Sequence, residues 1–381
     1  LQHAFTMFGA TVLVPIITGL DISVALFLAG IGTLIFHLIT KGKVPAFLGS
    51  SFAFIAPILA VAETHGLEFA RGGIVVAGLV YLVLAILMQI FGTEKIIKFF
   101  PPVVTGPIII VIGFKLAPVA IGMASADWLL AIIALVIVTA VSVYAKGFLK
   151  IIPVIVALLV TYIIAVILGR VDFSAVGQAK LVGLPAFSFA KFNLGAILTV
   201  APIALATMVE HIGDVIAISA TVEKDFIKDP GLSRTLIGDG VATSISALFG
   251  GPANTTYSEN IGVLALTKAW DPKIMRIAAV FAIVLGLIPK LGALISTIPD
   301  PIIGGMSIVL FGMIAAIGTR TLVENKVNLN KPRNLIITAV IGVLGLGGAV
   351  LPINIGSLSV NIEGMALAAI VGVILNIVLP E

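Results

Sequence analysis

Long apolar runs separated by brief clusters of charge recur along this whole chain, and no other feature so narrows its possible folds. A helix needs about 20 apolar residues to cross roughly 30 Å of hydrocarbon, and run after run approaches that length. Charge is correspondingly scarce. Of 381 residues, 10% are charged and 60% hydrophobic, whereas an ordinary soluble domain carries about 25% charged residues. The 22 basic and 18 acidic residues cannot cover the water-facing surface of a globule this size, so the outer surface must face lipid. The expected fold class is an all-α polytopic membrane protein. Its 39 glycines and 19 prolines fit, because neighbouring helices satisfy the backbone groups these residues free. The absence of cysteine excludes disulfides, thiolate metal sites and cysteine nucleophiles. The net charge of +4 is scattered between apolar runs and leaves no nucleic-acid footprint. The chain opens directly into an apolar segment with no signal-peptide pattern, and a short preceding piece is expected.

Reading between the charge clusters places spans near 4–20, 22–40, 52–62, 72–92, 103–121, 128–145, 151–169, 195–217, 236–249, 258–267, 274–289, 292–317, 334–350 and 362–379. That makes 14 transmembrane segments, of which those near 52–62 and 258–267 are too short to cross alone. Alternate loops hold 16 of the 22 basic residues, among them Lys41, Lys43, Lys146, Lys150 and Arg333. The opposite set holds Arg71, Arg170, Lys180, Lys191 and Lys290, and Lys115 falls within a span. The positive-inside rule then puts both termini in the cytoplasm.

An internal repeat is visible. Residues 102–113 read PVVTGPIIIVIG and residues 301–312 read PIIGGMSIVLFG, in register at an offset of 199. Gln2-His3 and Glu210-His211 are a second matched pair, each opening its half. With seven spans per half, an odd number, the halves must insert as inverted repeats. In such transporters the substrate site lies at the midplane, formed by interrupted spans in corresponding positions. Those interruptions are 49–54, GSSFAF, and 250–260, GGPANTTYSEN. Both are small, β-prone stretches that lead into apolar helices. Extended backbone at that depth must be buried or line a cavity, and two such strands can satisfy each other. Each following helix would aim free N–H groups at the space between them.

The carboxylates of the apolar runs are the main candidates for chemistry. Glu210 and Asp214 lie four apart and share a helix face, and Glu259 stands at the second interruption. A carboxylate inside a membrane span is costly and marks function by default. Desolvation and mutual repulsion favour a proton held on this cluster, which offers a means of coupling transport to a proton gradient. His3 and His211 are further relay candidates, Phe52 can stack on a planar ligand, and Asp239, beside Gly240, is expected to cap a helix. The mixed-sign run 223–234 reads as a solvated loop. No Walker sequence, Cys/His metal spacing or serine-hydrolase elbow occurs, so neither ATP-driven transport nor enzymatic activity is expected.

Residues 259–268, ENIGVLALTK, match every fixed position of the pattern [Q/E/P]-N-x-G-x4-T-[R/K/G]. With Gln2-His3, the stretches 49–54 and 254–257, and 210–213, EHIG, the chain resembles the nucleobase–ascorbate transporter family throughout. It is most similar to the bacterial uracil–proton symporter branch. The resemblance implies two inverted sevens with a pair of short antiparallel strands in segments 3 and 10. It implies a core domain (1–93 and 194–290), a gate domain (94–193 and 291–381), a bacterial inner-membrane location and a homodimer. It implies uracil as substrate, bound by Phe52, Glu210, Tyr257, Ser258 and Glu259, with Ser51 and Asn260 as secondary contacts. Proton coupling would fall to Glu210, Asp214, Glu259 and His3, with no metal or other cofactor, and with sodium as the alternative ion. A xanthine or purine permease, or an anion exchanger of related fold, is the alternative function. Two positions depart from the uracil branch. Asp214 stands where His is frequent, and Ser258 where Gly is frequent, which puts stoichiometry and specificity in question.

Overall fold

The computed structural model describes residues 2–355 and 358–380. The side chains at 2, 4, 5, 10, 258, 259, 266, 353–355, 358–361 and 363 lie outside that description.

Helices α1 (Gln2–Thr18) and α2 (Ile22–Ile39) lead to a three-residue strand, β1 (Leu48–Ser50). A 3₁₀ turn, Phe52–Phe54, then opens α3 (Ile55–Thr64). Six helices follow: α4 (Leu67–Phe91), α5 (Thr93–Ile97), α6 (Pro102–Lys115), α7 (Ala117–Ser125), α8 (Trp128–Tyr144) and α9 (Pro153–Ile167). The short α10 (Ser174–Gln178) precedes an extended stretch, and α11 (Leu194–Val200) continues through a 3₁₀ turn into α12 (Ala204–Val222). Then come α13 (Leu232–Leu248), strand β2 (Asn254–Thr256), α14 (Ser258–Thr267), α15 (Pro272–Gly286) and α16 (Pro289–Ile295). Helices α17 (Asp300–Glu324) and α18 (Pro332–Leu346), strands β3 (Val350–Ile355) and β4 (Leu358–Glu363), and α19 (Gly364–Val378) complete the chain.

Much of the proline is explained by these boundaries. Pro102, Pro153, Pro272, Pro289 and Pro332 each occupy the first helical position, where a missing N–H costs nothing and the fixed φ is already helical. Among the described residues five helical stretches are long and apolar enough to cross a membrane: Ile22–Ile39, Leu67–Phe91, Pro102–Ser125, Leu194–Val222 and Asp300–Glu324. Most of the remaining apolar helices are 10–17 residues long.

Three sequence expectations need correction. The stretch 292–317 is not one span, because α16 ends at Ile295 and α17 begins at Asp300. Pro299 has no N–H to continue the helix and biases Ile298 away from it. Arg71, expected in a loop, lies in α4 and is 5% exposed. The strand content is larger than one pair, since β3 and β4 form a second antiparallel sheet.

Small residues set the helix packing. Helices α6 and α17, which carry the repeated sequence, run antiparallel against each other. A Cβ on Gly106 would lie 3.0 Å from the Gly318 carbonyl oxygen, and one on Gly318 only 2.6 Å from that of Gly106. Glycine at both positions lets the backbones touch, the means by which membrane helices gain van der Waals contact.

The extended stretch 179–193 is fastened across the ends of several helices. The Arg71 guanidinium donates to the Ser188 carbonyl and hydroxyl, both at 2.8 Å. Backbone N–H groups of Gly183, Ala190 and Lys191 donate to the carbonyls of Leu287, Leu248 and Glu68. The Phe187 ring meets Phe27 of α2 edge-on at 5.3 Å. This strap therefore touches α2 and α4 on one side of the chain and α13 and the α15–α16 bend on the other.

Candidate functional site

The site begins with the two interruptions. Strands β1 and β2 pair antiparallel, Leu48 with Thr256, Gly49 with Thr255 and Ser50 with Asn254, and all six residues are buried. So short a pair leaves backbone groups exposed at its ends, and buried groups need partners. Two threonines supply them. Thr33 of α2 accepts from the Leu48 N–H at 2.9 Å and donates to the Leu48 carbonyl at 3.2 Å. Thr243 of α13 does the same for Asn254, at 3.2 and 2.8 Å. The ladder extends on either side, from Ser51 N–H to the Ala253 carbonyl and from Tyr257 N–H to the Phe47 carbonyl. Phe52 then opens the 3₁₀ turn, so its N–H has no helical acceptor.

The Tyr257 ring lies across β1 and donates to the Ser50 carbonyl at 3.2 Å. Only glycine admits it there, since a Cβ on Gly49 would fall 2.3 Å from two ring carbons. Ser50, Phe52, Glu210, Thr256, Tyr257 and Met313 line a cavity of about 80 Å³ at the end of the strand pair. Phe52, Leu310 and Met313 also line a larger, mainly apolar cavity of about 670 Å³, which reaches Lys150 between α8 and α9. The two cavities share Phe52, Leu310 and Met313 as lining residues.

Two of the three expected acids lie along α12. Glu210 is half-buried and faces the small cavity. Asp214, one turn on, is 6% exposed and accepts from the Thr256 hydroxyl at 2.8 Å, behind β2. The structure thus brings together Phe52, Glu210 and Tyr257 on the cavity, with Asp214 behind it. Ser258 and Glu259 open α14 next to Tyr257, but their side chains are outside the description. Ser51 is buried, and its N–H is committed to the strand ladder. His3 is buried where α1 faces Asn260 of α14, and neither side chain completes a well-aligned hydrogen bond among the described residues. Neither lines the small cavity among its described residues.

Asp239 is not a helix cap. It sits inside α13, fully buried, with its carboxylate 2.9 Å from the His211 Nδ1 and both side chains 0% exposed. The His211 Nδ1 also lies 3.5 Å from the Thr256 hydroxyl, so Asp239, His211, Thr256 and Asp214 form one buried polar chain. Gly238 and Gly240 flank Asp239. An acid between two small residues in an apolar run was a sequence signal for its burial, not for its partner. Thr33 and Thr243 gave no signal, because their role depends on where the strands return.

Residues 1–354 match the profile of the permease family Xan_ur_permease. The chain belongs to this family of nucleobase–ascorbate transporters. Among the family's curated proteins, it is 48% identical over 395 residues to a uracil permease of Bacillus caldolyticus, covering 100% of this chain and 91% of that protein. It is 46% identical to the uracil permease of Bacillus subtilis (100% and 92%) and 42% identical to that of Escherichia coli K12 (99% and 90%). Nucleobase–ascorbate transporters are permeases, so this chain is a multi-pass membrane transporter and not an enzyme. Its fold is similar to the transmembrane domain of a cyanobacterial bicarbonate transporter, BicA, with TM-score 0.64, 15% identity and coverage of 99% and 95%. It is also similar to the murine Slc26a9 anion transporter in its inward-facing state, with TM-score 0.71, 10% identity and coverage of 99% and 66%.

Proposed function

We propose that this chain imports uracil across the bacterial inner membrane by proton symport through alternating access. The observation that carries the reading is the meeting of Phe52, Glu210 and Tyr257 on one cavity at the end of the strand pair. The curated relatives named uracil permeases support it. Uracil is a flat ring with two N–H donors and two carbonyl acceptors. Glu210 and Glu259 accept from the ring N–H groups, the backbone N–H groups of Phe52 and Ser258 donate to the carbonyls, and Phe52 and Tyr257 pack on the ring. The proton resides on Glu210, Asp214, Glu259 or His3, and uracil binds when that set is suitably protonated.

The transmembrane part comprises 14 segments in two inverted sevens, with a core (1–93, 194–290), a gate (94–193, 291–381) and both termini cytoplasmic. The matched clamps of Thr33 on β1 and Thr243 on β2, and the antiparallel packing of α6 on α17, support the inverted halves. In this orientation the larger cavity, which reaches Lys150, opens to the cytoplasm. The protein works as a homodimer.

Uptake into proteoliposomes with an imposed pH gradient tests the reading. Uracil should accumulate and a protonophore should abolish the accumulation; no accumulation, or accumulation indifferent to the protonophore, overturns it. Displacement of uracil by unlabelled xanthine would redirect the assignment to purines, and sodium dependence at fixed pH would replace the ion. The fold neighbours are anion carriers, but the small cavity has Glu210 and no basic side chain among its described lining residues. Sulfate and bicarbonate flux should therefore be absent.

A further inference from the structure

The hydroxyl of Thr11 is placed differently from those of Thr18 and Thr40. Thr18 and Thr40 turn their hydroxyls back to the carbonyl four residues earlier in the chain, both at 2.7 Å, the ordinary resting place for a threonine in an apolar helix. Thr11 is 0% exposed, and its hydroxyl points instead at the Tyr257 hydroxyl, 3.2 Å away, with the Met7 sulfur at 3.9 Å.

Its backbone is redirected as well. The carbonyl of residue 11 would normally accept from the N–H of residue 15, but residue 15 is Pro15, inside α1. The freed carbonyl accepts instead from the Ser50 hydroxyl at 3.1 Å. Tyr257 in turn donates to the Ser50 carbonyl at 3.2 Å. Donors and acceptors run consistently around the triangle: Thr11 to Tyr257, Tyr257 to Ser50, Ser50 to Thr11. Three separate elements, α1, β1 and the residue after β2, are tied at one buried point. Ser50 and Tyr257 line the small cavity, whereas Thr11 does not.

We infer that Thr11 is a positioning residue for the substrate pocket, holding the Tyr257 phenol across Gly49 through its hydroxyl and Ser50 through the carbonyl that Pro15 leaves free. It touches no substrate. Its effect is to fix the floor on which the base lies, so it governs affinity and the choice of base more than turnover. This inference rests on the reading of the cavity as the nucleobase site.

Thr11→Val keeps the shape of the side chain and removes the hydroxyl. In proteoliposome uptake the variant should raise the uracil KM about five-fold, with the maximal rate within about two-fold, since only pocket geometry changes. Thr11→Ser should restore the wild-type KM. Tyr257→Phe removes the same bond from its other side and should raise KM too, and the double variant should be no worse than Tyr257→Phe alone. An unchanged KM in Thr11→Val or in Tyr257→Phe, failure of serine to rescue, or effects that multiply in the double variant would overturn the inference. A wild-type chain that takes up no base overturns the functional reading and this inference with it. Wild-type uptake beside an unaltered Thr11→Val KM overturns this inference alone.

Discussion

At the residue scale the buried pair His211–Asp239 has the most to lose. Both side chains are withdrawn from solvent, and removing one partner of a buried pair leaves the other uncompensated, at a cost of about 3–5 kcal/mol. Asp239→Ala should therefore lower the thermal unfolding midpoint in detergent markedly. Replacing both partners with leucine should lower it less than the single change, and an additive loss would argue that the two do not act as a pair. Glu259 belongs to the same scale by its place in the motif. Glu259→Gln should abolish uracil binding or redirect it to another base, and an unchanged uracil affinity would remove Glu259 from the site. Residue types and their depth were legible in the sequence: Glu210 and Asp214 announced themselves as acids within an apolar run, and Phe52 and Tyr257 as aromatic groups at the interruptions. Pairing was not legible. Asp239 reads as a cap until α12 is seen beside it, because a partner 28 positions away leaves no periodic trace.

At the scale of elements, the strand pair depends on two kinds of small contact. One is the space over Gly49, and Gly49→Ala should displace the Tyr257 ring and cost about 1–3 kcal/mol of stability by overpacking, together with a weakened uracil Kd in a binding titration. The other is the threonine clamp at the start of each strand. Thr33→Val or Thr243→Val leaves buried backbone groups of the pair without a partner, and each should cost about 1–3 kcal/mol. If the two clamps are structural counterparts, their losses in thermal midpoint should be similar. Element types were readable because period and composition differ sharply between apolar helices and the GSSFAF and GGPANTTYSEN stretches. The second sheet, β3 with β4, was missed because Val, Leu and Ile at 350–353 and 358–362 continue the apolar tracts on either side. Nothing local separates strand from span there. The break at Pro299 was written in the sequence and lay within a run judged by hydropathy alone.

For the whole molecule, the two cavities that share Phe52 lie along a line from the pocket toward Lys150, and opening between them at that ring would make a route. The chain has no cysteine, so a single Ser142→Cys reports cleanly on that route. It should react with a membrane-impermeant maleimide from the cytoplasmic side, and bound uracil should slow the reaction. Labelling only from the opposite side would invert the proposed orientation. Chain-wide alternation of basic loops was open to sequence reading because it is a sum over many residues. The course of 179–193 was not, because its anchors are backbone carbonyls of distant helices and a guanidinium that read as a loop charge.

That strap bears on how the polypeptide can be made. Covalent continuity between α10 and the strap is weakly used, since residues 174–178 are mostly exposed and, among the described residues, no backbone bond fastens them to other helices. The segment just after them is held on α4 by Arg71 and Glu68, and on α13 by Leu248 and Phe249. A gene divided at Gly177 should therefore yield two fragments that find each other when co-expressed. The second fragment would carry its own adhesive N-terminus, and Arg71→Ala in the first would weaken the reunion, as read by co-purification of an untagged fragment with a tagged one.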